Sequence, residues 1–236
     1  MNTSEFYRIA SSGELEKLDS FSEAVKALGN NGYVWFNYVK ASREDLAELV
    51  EPLKIHPLSL EDCTDENQVP KMDEFPGYTF IVFNALRYDR EELLSDEVDL
   101  FIGENFIVTV SGYSETTQFP IKGIQSAIER NISAVKRGPA WLMHIILDYI
   151  VDQMADVVEK AEADLDQAEE EILASPAVFD PSRLIYLRRN LLALRKILFH
   201  EREILTKISG TTVNGCLKKP LFITVISLTT CQTSSK

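Results

Sequence analysis

Cysteine is scarce: the 236 residues hold three, Cys63, Cys216 and Cys231. An odd number with no CxxC pair argues against a disulfide framework or a structural zinc site, and suits a reducing cytosol. Long apolar runs are missing too. Nothing reaches the roughly 18 uncharged residues that a membrane-crossing helix needs, and the longest candidate, Leu221 to Leu228, is far short of it. The start, MNTSEFYRIA, has no basic segment followed by an apolar one, so no signal peptide is expected. Bases are outnumbered, with 24 Lys and Arg against 37 Asp and Glu, a net charge of −13. That balance speaks against nucleic acid or an anionic membrane surface as main partner, and leaves cations, basic proteins or plain solubility. There is no GxSxG, no Cys/His arrangement and no Gly-rich phosphate loop, so the chain reads as a non-enzyme.

What is present is an ordinary globular composition, 45% apolar and 26% charged. Residues 1–114 read as a mixed α/β domain. Tyr33–Val39, behind the turn Gly29-Asn-Asn-Gly32, is a strand, and Ser42 caps a helix to about Leu53, stopped by His56-Pro57. Ser59–Cys63 adds a helical turn or two. Tyr78–Leu86 is a buried strand, and Asp96–Ile102 and Asn105–Val110 are two more around Gly103-Glu104. Residues 87–95 read as a charged connection between strands. Residues 115–209 read as helices packing on that domain: 115–137, an acidic helix 141–174 and a basic helix 181–208, with Pro181 in its first turn. Ile150, Met154, Val157, Ala161, Leu165, Ala168 and Ile172 make one apolar stripe, and Leu184, Leu187, Leu191, Leu194 and Leu198 a second. Stripes, short loop and opposite charge together predict an antiparallel helical hairpin. Residues 211–236 contain no acid and show no helical period, and read as an atypical, disordered or non-native tail. The fold class is therefore α+β or α/β, a mixed sheet sandwiched by helices and followed by long antiparallel helices.

Carboxylates are the candidate chemistry. Mg²⁺ takes oxygen ligands in octahedral geometry and keeps several waters, so one or two placed carboxylates suffice. The acidic helix supplies many, and 87–97 adds Asp89, Glu91, Glu92, Asp96 and Glu97. Composition alone favours the plainer reading, a solvated face partly neutralised by the basic helix. His56 and Cys63 lie seven apart, too few for a zinc site, and His144 and His200 have no partner at ligand spacing.

The stretch His56-Pro-Leu-Ser-Leu-Glu-Asp62 resembles the HPLxLED segment of CorA-type magnesium and cobalt transporters. Gln68-Val-Pro-Lys71, Phe75 and Tyr78-Thr-Phe-Ile-Val82 follow at the family's spacing. Asp166-Gln-Ala-Glu-Glu-Glu-Ile-Leu173 resembles its acidic helix, and Arg188-Arg-Asn-Leu191 with Leu194-Arg-Lys196 its KRNL..LRK helix. The resemblance is strong over residues 50–205. It implies the cytosolic, divalent-cation-sensing domain of a Mg²⁺/Co²⁺ channel that is pentameric when whole and lies on the cytoplasmic side of the inner membrane. It implies Mg²⁺, or Co²⁺ and other divalent cations in its place, held by Asp89 at a strand corner and by Asp166, with Asp164 as the near alternative; Glu91 and Glu92 lie beside the corner. After about Ser209 the likeness stops, and no stalk, membrane helix or GMN signature is found in the sequence. Contact with a membrane is expected only through that missing part. A zinc-transporting relative and a metal-independent helical interaction module are the alternatives.

Overall fold

The computed structural model describes residues 3–64, 68–112 and 121–210. The 211–236 tail therefore lies outside the described residues. One seven-stranded sheet runs in the order β2-β1-β3-β7-β6-β5-β4. Its strands are β1 (Thr3–Ala10), β2 (Leu15–Leu18), β3 (Gly32–Val39), β4 (Lys71–Phe75), β5 (Tyr78–Asp89), β6 (Glu92–Gly103) and β7 (Phe106–Ser111). All neighbours are antiparallel except β3 and β7, whose parallel pairing makes the sheet mixed.

Both faces of the sheet are covered, which explains the near-continuous apolar sequence of its central strands. On one face Phe36, Phe80, Val82, Phe101 and Val108 pack beneath four short helices, α1 (Phe21–Ala27), α2 (Arg43–Ala47), α3 (Val50–Leu53) and α4 (Pro57–Asp62). On the other, Trp35, Ile81, Phe83, Leu100 and Ile107 meet α5 (Ile121–Arg130), α6 (Ile132–Val135), α7 (Pro139–Ala174) and α8 (Pro181–Gly210). Gly123 lets α5 lie close on α7: a Cβ there would sit 2.2 Å from the Tyr149 hydroxyl. Helices α7 and α8 are joined by residues 175–180 and form the expected hairpin. Leu187, Leu194 and Leu198 of the basic stripe are buried, whereas Leu184 and Leu165 are about half exposed.

Several local expectations change. The helix expected from Ser42 to Leu53 is two, α2 and α3. Pro52 has no N–H for the Glu48 carbonyl and its ring would clash there, so the first helix ends and a second starts with Pro52 inside its opening turn. His56-Pro57 does not only stop a helix but begins α4: His56 Nδ1 accepts from Leu58 N–H and Pro57 occupies the first turn. The expected 115–137 helix is α5 and α6, broken at Asn131, and residues 113–120 lie outside the described residues. The largest change is at 87–95. In place of a connection, β5 runs on to Asp89 and β6 starts at Glu92, a long hairpin closed by Arg90 and Glu91. Both turn residues have positive φ, 49° and 62°, the left-handed pair that a two-residue hairpin turn requires. The charges there mark the outward half of a strand alternation: Leu86 and Tyr88 point in, Arg87 and Asp89 out.

A candidate metal corner at the hairpin tip

The β5–β6 hairpin projects past the end of β4, which pairs with β5 only as far as Lys71↔Val82. Its tip lies against the α7–α8 hairpin. Asn190 of α8 donates from Nδ2 to the Glu91 carbonyl at 2.6 Å. Arg183, near the start of α8, reaches Glu91 Oε1 at 2.7 Å and forms an ion pair with Glu171 of α7. Hydrogen bonding to Arg183 holds the Glu171 carboxyl below the usual range. One guanidinium thus ties three elements together: the strand turn and both long helices. On the inner side, the Tyr88 hydroxyl is buried near the Asp164 carboxylate and the Asn190 amide, with no hydrogen bond to either among the described residues. Burial first, and then the Asp164 carboxylate, push its pKa up to about 12.

The five residues expected at the site are thereby sorted. Asp89 and Glu92 face each other as cross-strand partners at the tip. Both are exposed, and neither makes an ion pair or hydrogen bond among the described residues. Glu91 is engaged by Arg183. Asp164 is the α7 carboxylate whose charge reaches Tyr88 of the hairpin. Asp166 is exposed; two residues further on, it lies about 200° around the helix from Asp164. Sequence reasoning missed Tyr88, Arg183 and Asn190 as the framing residues. Asn190 had a usable signal: it interrupts an apolar stripe, and a lone polar residue in such a seam sets register.

The donors suit a hard cation that keeps its water. Two carboxylates on neighbouring strands can hold hydrated Mg²⁺ from outside, but they cannot replace its whole shell. Among the described residues no group of three or more His, Cys, Asp and Glu side chains is arranged to hold a metal ion. Any tighter site needs donors from elsewhere.

A family model described as "CorA-like Mg2+ transporter protein" matches residues 30–219. The chain belongs to that family. The match runs ten residues past Ser209, where the motifs alone place the end of the likeness. The cobalt/magnesium transport protein CorA of Thermotoga maritima is 32% identical over 178 residues, 74% of this chain and 50% of that protein. A putative metal ion transporter of Bacillus subtilis, YfjQ, is 31% identical over 176 residues, 75% of this chain and 54% of that protein. The chain thus spans about half the length of the curated relatives it matches. The soluble domain of CorA from Methanocaldococcus jannaschii superposes with a TM-score of 0.69 at 20% identity, over 94% of this chain and 86% of that one. The cytoplasmic domain of ZntB from Vibrio parahaemolyticus gives 0.63 at 11% identity, over 89% and 80%; at that identity the likeness is one of fold. The sheet, its helical layers and the long helix pair are therefore the CorA soluble-domain fold. Among the described residues no helix is long and apolar enough to cross a membrane.

Proposed function

We propose that this chain is the cytosolic, divalent-cation-sensing domain of a CorA-type Mg²⁺/Co²⁺ transporter. One observation carries the reading. Arg183 and Asn190 hold the β5–β6 tip against the helices, while Asp89 and Glu92, at its outer edge, are unpaired among the described residues. An anchored pair of unneutralised carboxylates attracts a hydrated divalent cation, and the anchoring gives a bound ion something rigid to act on. Asp89 and Glu92 would carry the ion, Asp164 would contribute charge from α7, and Asp166 would remain available on the outer helix face for a neighbouring copy. Mg²⁺ is the expected ion, with Co²⁺ able to substitute.

Residues 1–114 would bear the strand corner and residues 115–209 the helices that read it. In the whole protein the domain would lie on the cytoplasmic side of the membrane and assemble with copies of itself, as a pentamer. Exposed Ile185, Leu192 and Phe199, spaced seven apart on α8, support helix–helix contact there. Its role would be regulatory and not catalytic.

The test is the melting temperature of the chain in rising MgCl₂ and CoCl₂, against KCl of equal ionic strength. A cation-specific rise that is lost in Asp89→Ala/Asp164→Ala supports the reading. No rise, or one that survives those changes, favours a metal-independent interaction module.

A further inference from the structure

Helix α8 carries one carboxylate into the apolar core. Glu201 is 1% exposed. Leu198, Ile204, Leu205 and Ile208 of the same helix are buried around it in the layer beneath the sheet. Its Oε1 accepts the backbone N–H of Asn84 at 3.0 Å. That N–H lies two residues beyond Val82, the last β5 residue paired with β4, so the helix side chain takes a place that a strand would otherwise fill. Its Oε2 is buried with no hydrogen-bond partner among the described residues.

Among the described residues, the elements packed on this part of α8 bring no counter-charge. Lys71 of β4 is committed to Asp62 at 2.7 Å, with Asp73 at 3.9 Å. On β6, Glu97 accepts from Gln68 N–H and Asp96 from Gly112 N–H, while Asp99 is buried beside Cys63 on the opposite face. The charges of β5, Arg87 and Asp89, are exposed, and the buried face of α7 is apolar throughout. On α8 itself, His200 faces Glu203, and Arg202 lies over the Phe199 ring. An ionised carboxylate would be isolated here. A protonated one fills the same space, keeps the Asn84 bond and carries no charge, and burial accordingly pushes Glu201 well above the carboxylate range.

We propose that Glu201 is a proton-operated clamp: in its neutral form it seats the C-terminal half of α8 on the open edge of β5, and losing its proton releases that half. The clamp stands on burial, the strand-edge bond and the unpartnered oxygen, independently of any metal. Its consequence for regulation rests on the function proposed above. Arg183 and Asn190 lie on the same helix about 27 and 16 Å away by helical rise, so a loosened α8 would slacken their hold on the hairpin tip.

The experiment uses the full chain from pH 5 to 9. It reads denaturant unfolding together with deuterium exchange over residues 196–208, normalised for intrinsic rate. Because the folded protein keeps a proton that the unfolded chain gives up near pH 4.3, Glu201 alone raises the unfolding constant by up to about tenfold per pH unit above that point. In Glu201→Gln, which retains the acceptor and cannot ionise, the pH slope should fall by one proton and α8 protection should become flat. Glu97→Gln serves as a control for the other buried acid: it should take its own proton out of the unfolding slope and leave the pH dependence of local α8 opening in place. A wild-type slope and wild-type α8 exchange in Glu201→Gln would overturn the clamp. Should that variant fail to fold, carbon-13 spectra of the wild-type side-chain carboxyls decide. Two Glu signals still protonated at pH 7, for Glu97 and Glu201, support the clamp; ionisation of every Glu below pH 6 overturns it.

Discussion

Replacing Glu97 by Gln should stabilise this protein at neutral pH. Glu97 is 7% exposed on β6 and faces the same way as Asp99, two residues on and fully buried. Burial, and then the Asp99 charge, push its pKa up to about 8. The Gln68 N–H and the more distant Lys71 ammonium offset this only in part. With the folded value above the unfolded one of about 4.3, the folded state binds the extra proton between those limits. Stability is then full below about pH 4.3, falls as pH rises through 8, and levels off above. Each pH unit in the window costs about 1.4 kcal/mol at most. Allowing for relaxation of the site toward water, the accumulated cost at pH 7 is on the order of 2 kcal/mol. The introduced amide retains an acceptor for the Gln68 N–H and gains an N–H that can face Asp99. Urea unfolding followed by circular dichroism should find the variant about equal to wild type at pH 5 and on the order of 2 kcal/mol more stable at pH 7 to 8. Parallel stability profiles, or a variant less stable at every pH, would refute the reasoning.

Three further outcomes follow from the packing. Phe83→Ala removes a fully buried ring between sheet and helices and should cost about 3–5 kcal/mol in chemical denaturation. Asn190→Ala deletes the bond to the Glu91 carbonyl; it should cost about 1–2 kcal/mol and speed deuterium exchange over residues 86–95 more than over β7. Ser42→Ala removes the side chain that caps α2 and answers Asp45 in a capping box, and thermal unfolding should register a loss of about 1 kcal/mol.

How far the sequence predicts the structure depends on whether a pattern is local. The helical hairpin was legible because α7 and α8 repeat apolar residues over many turns and meet across a short loop. The central strands were legible from Tyr33–Val39 and Tyr78–Leu86, buried on both faces. The extension of β5 and β6 was obscured because Arg87, Asp89 and Glu92 look like loop residues, and Arg90-Glu91 carries none of the Asn-Gly chemistry that marks such turns. The edge strands β2 and β4 were not separated from their surroundings, since edge strands carry mixed polarity, and neither was β1 beside β2. The candidate site was legible at Asp89 through family likeness alone. Choosing between Asp164 and Asp166 required knowing which face of α7 meets the sheet, which is tertiary information. Glu97 and Glu201 resemble any surface carboxylate in composition. For Glu201 the clue was positional: it stands three residues after Leu198 and three before Ile204, inside the buried stripe.

If the proposed function is right, a divalent cation binds at the tip formed by Asp89 and Glu92. Anomalous diffraction from crystals of this chain grown with Co²⁺ tests it most directly. A cobalt peak is expected at coordination distance from the Asp89 carboxylate, directly or through one water, and it should disappear in Asp89→Ala. A well-occupied cobalt elsewhere, with none at the hairpin tip, would contradict it.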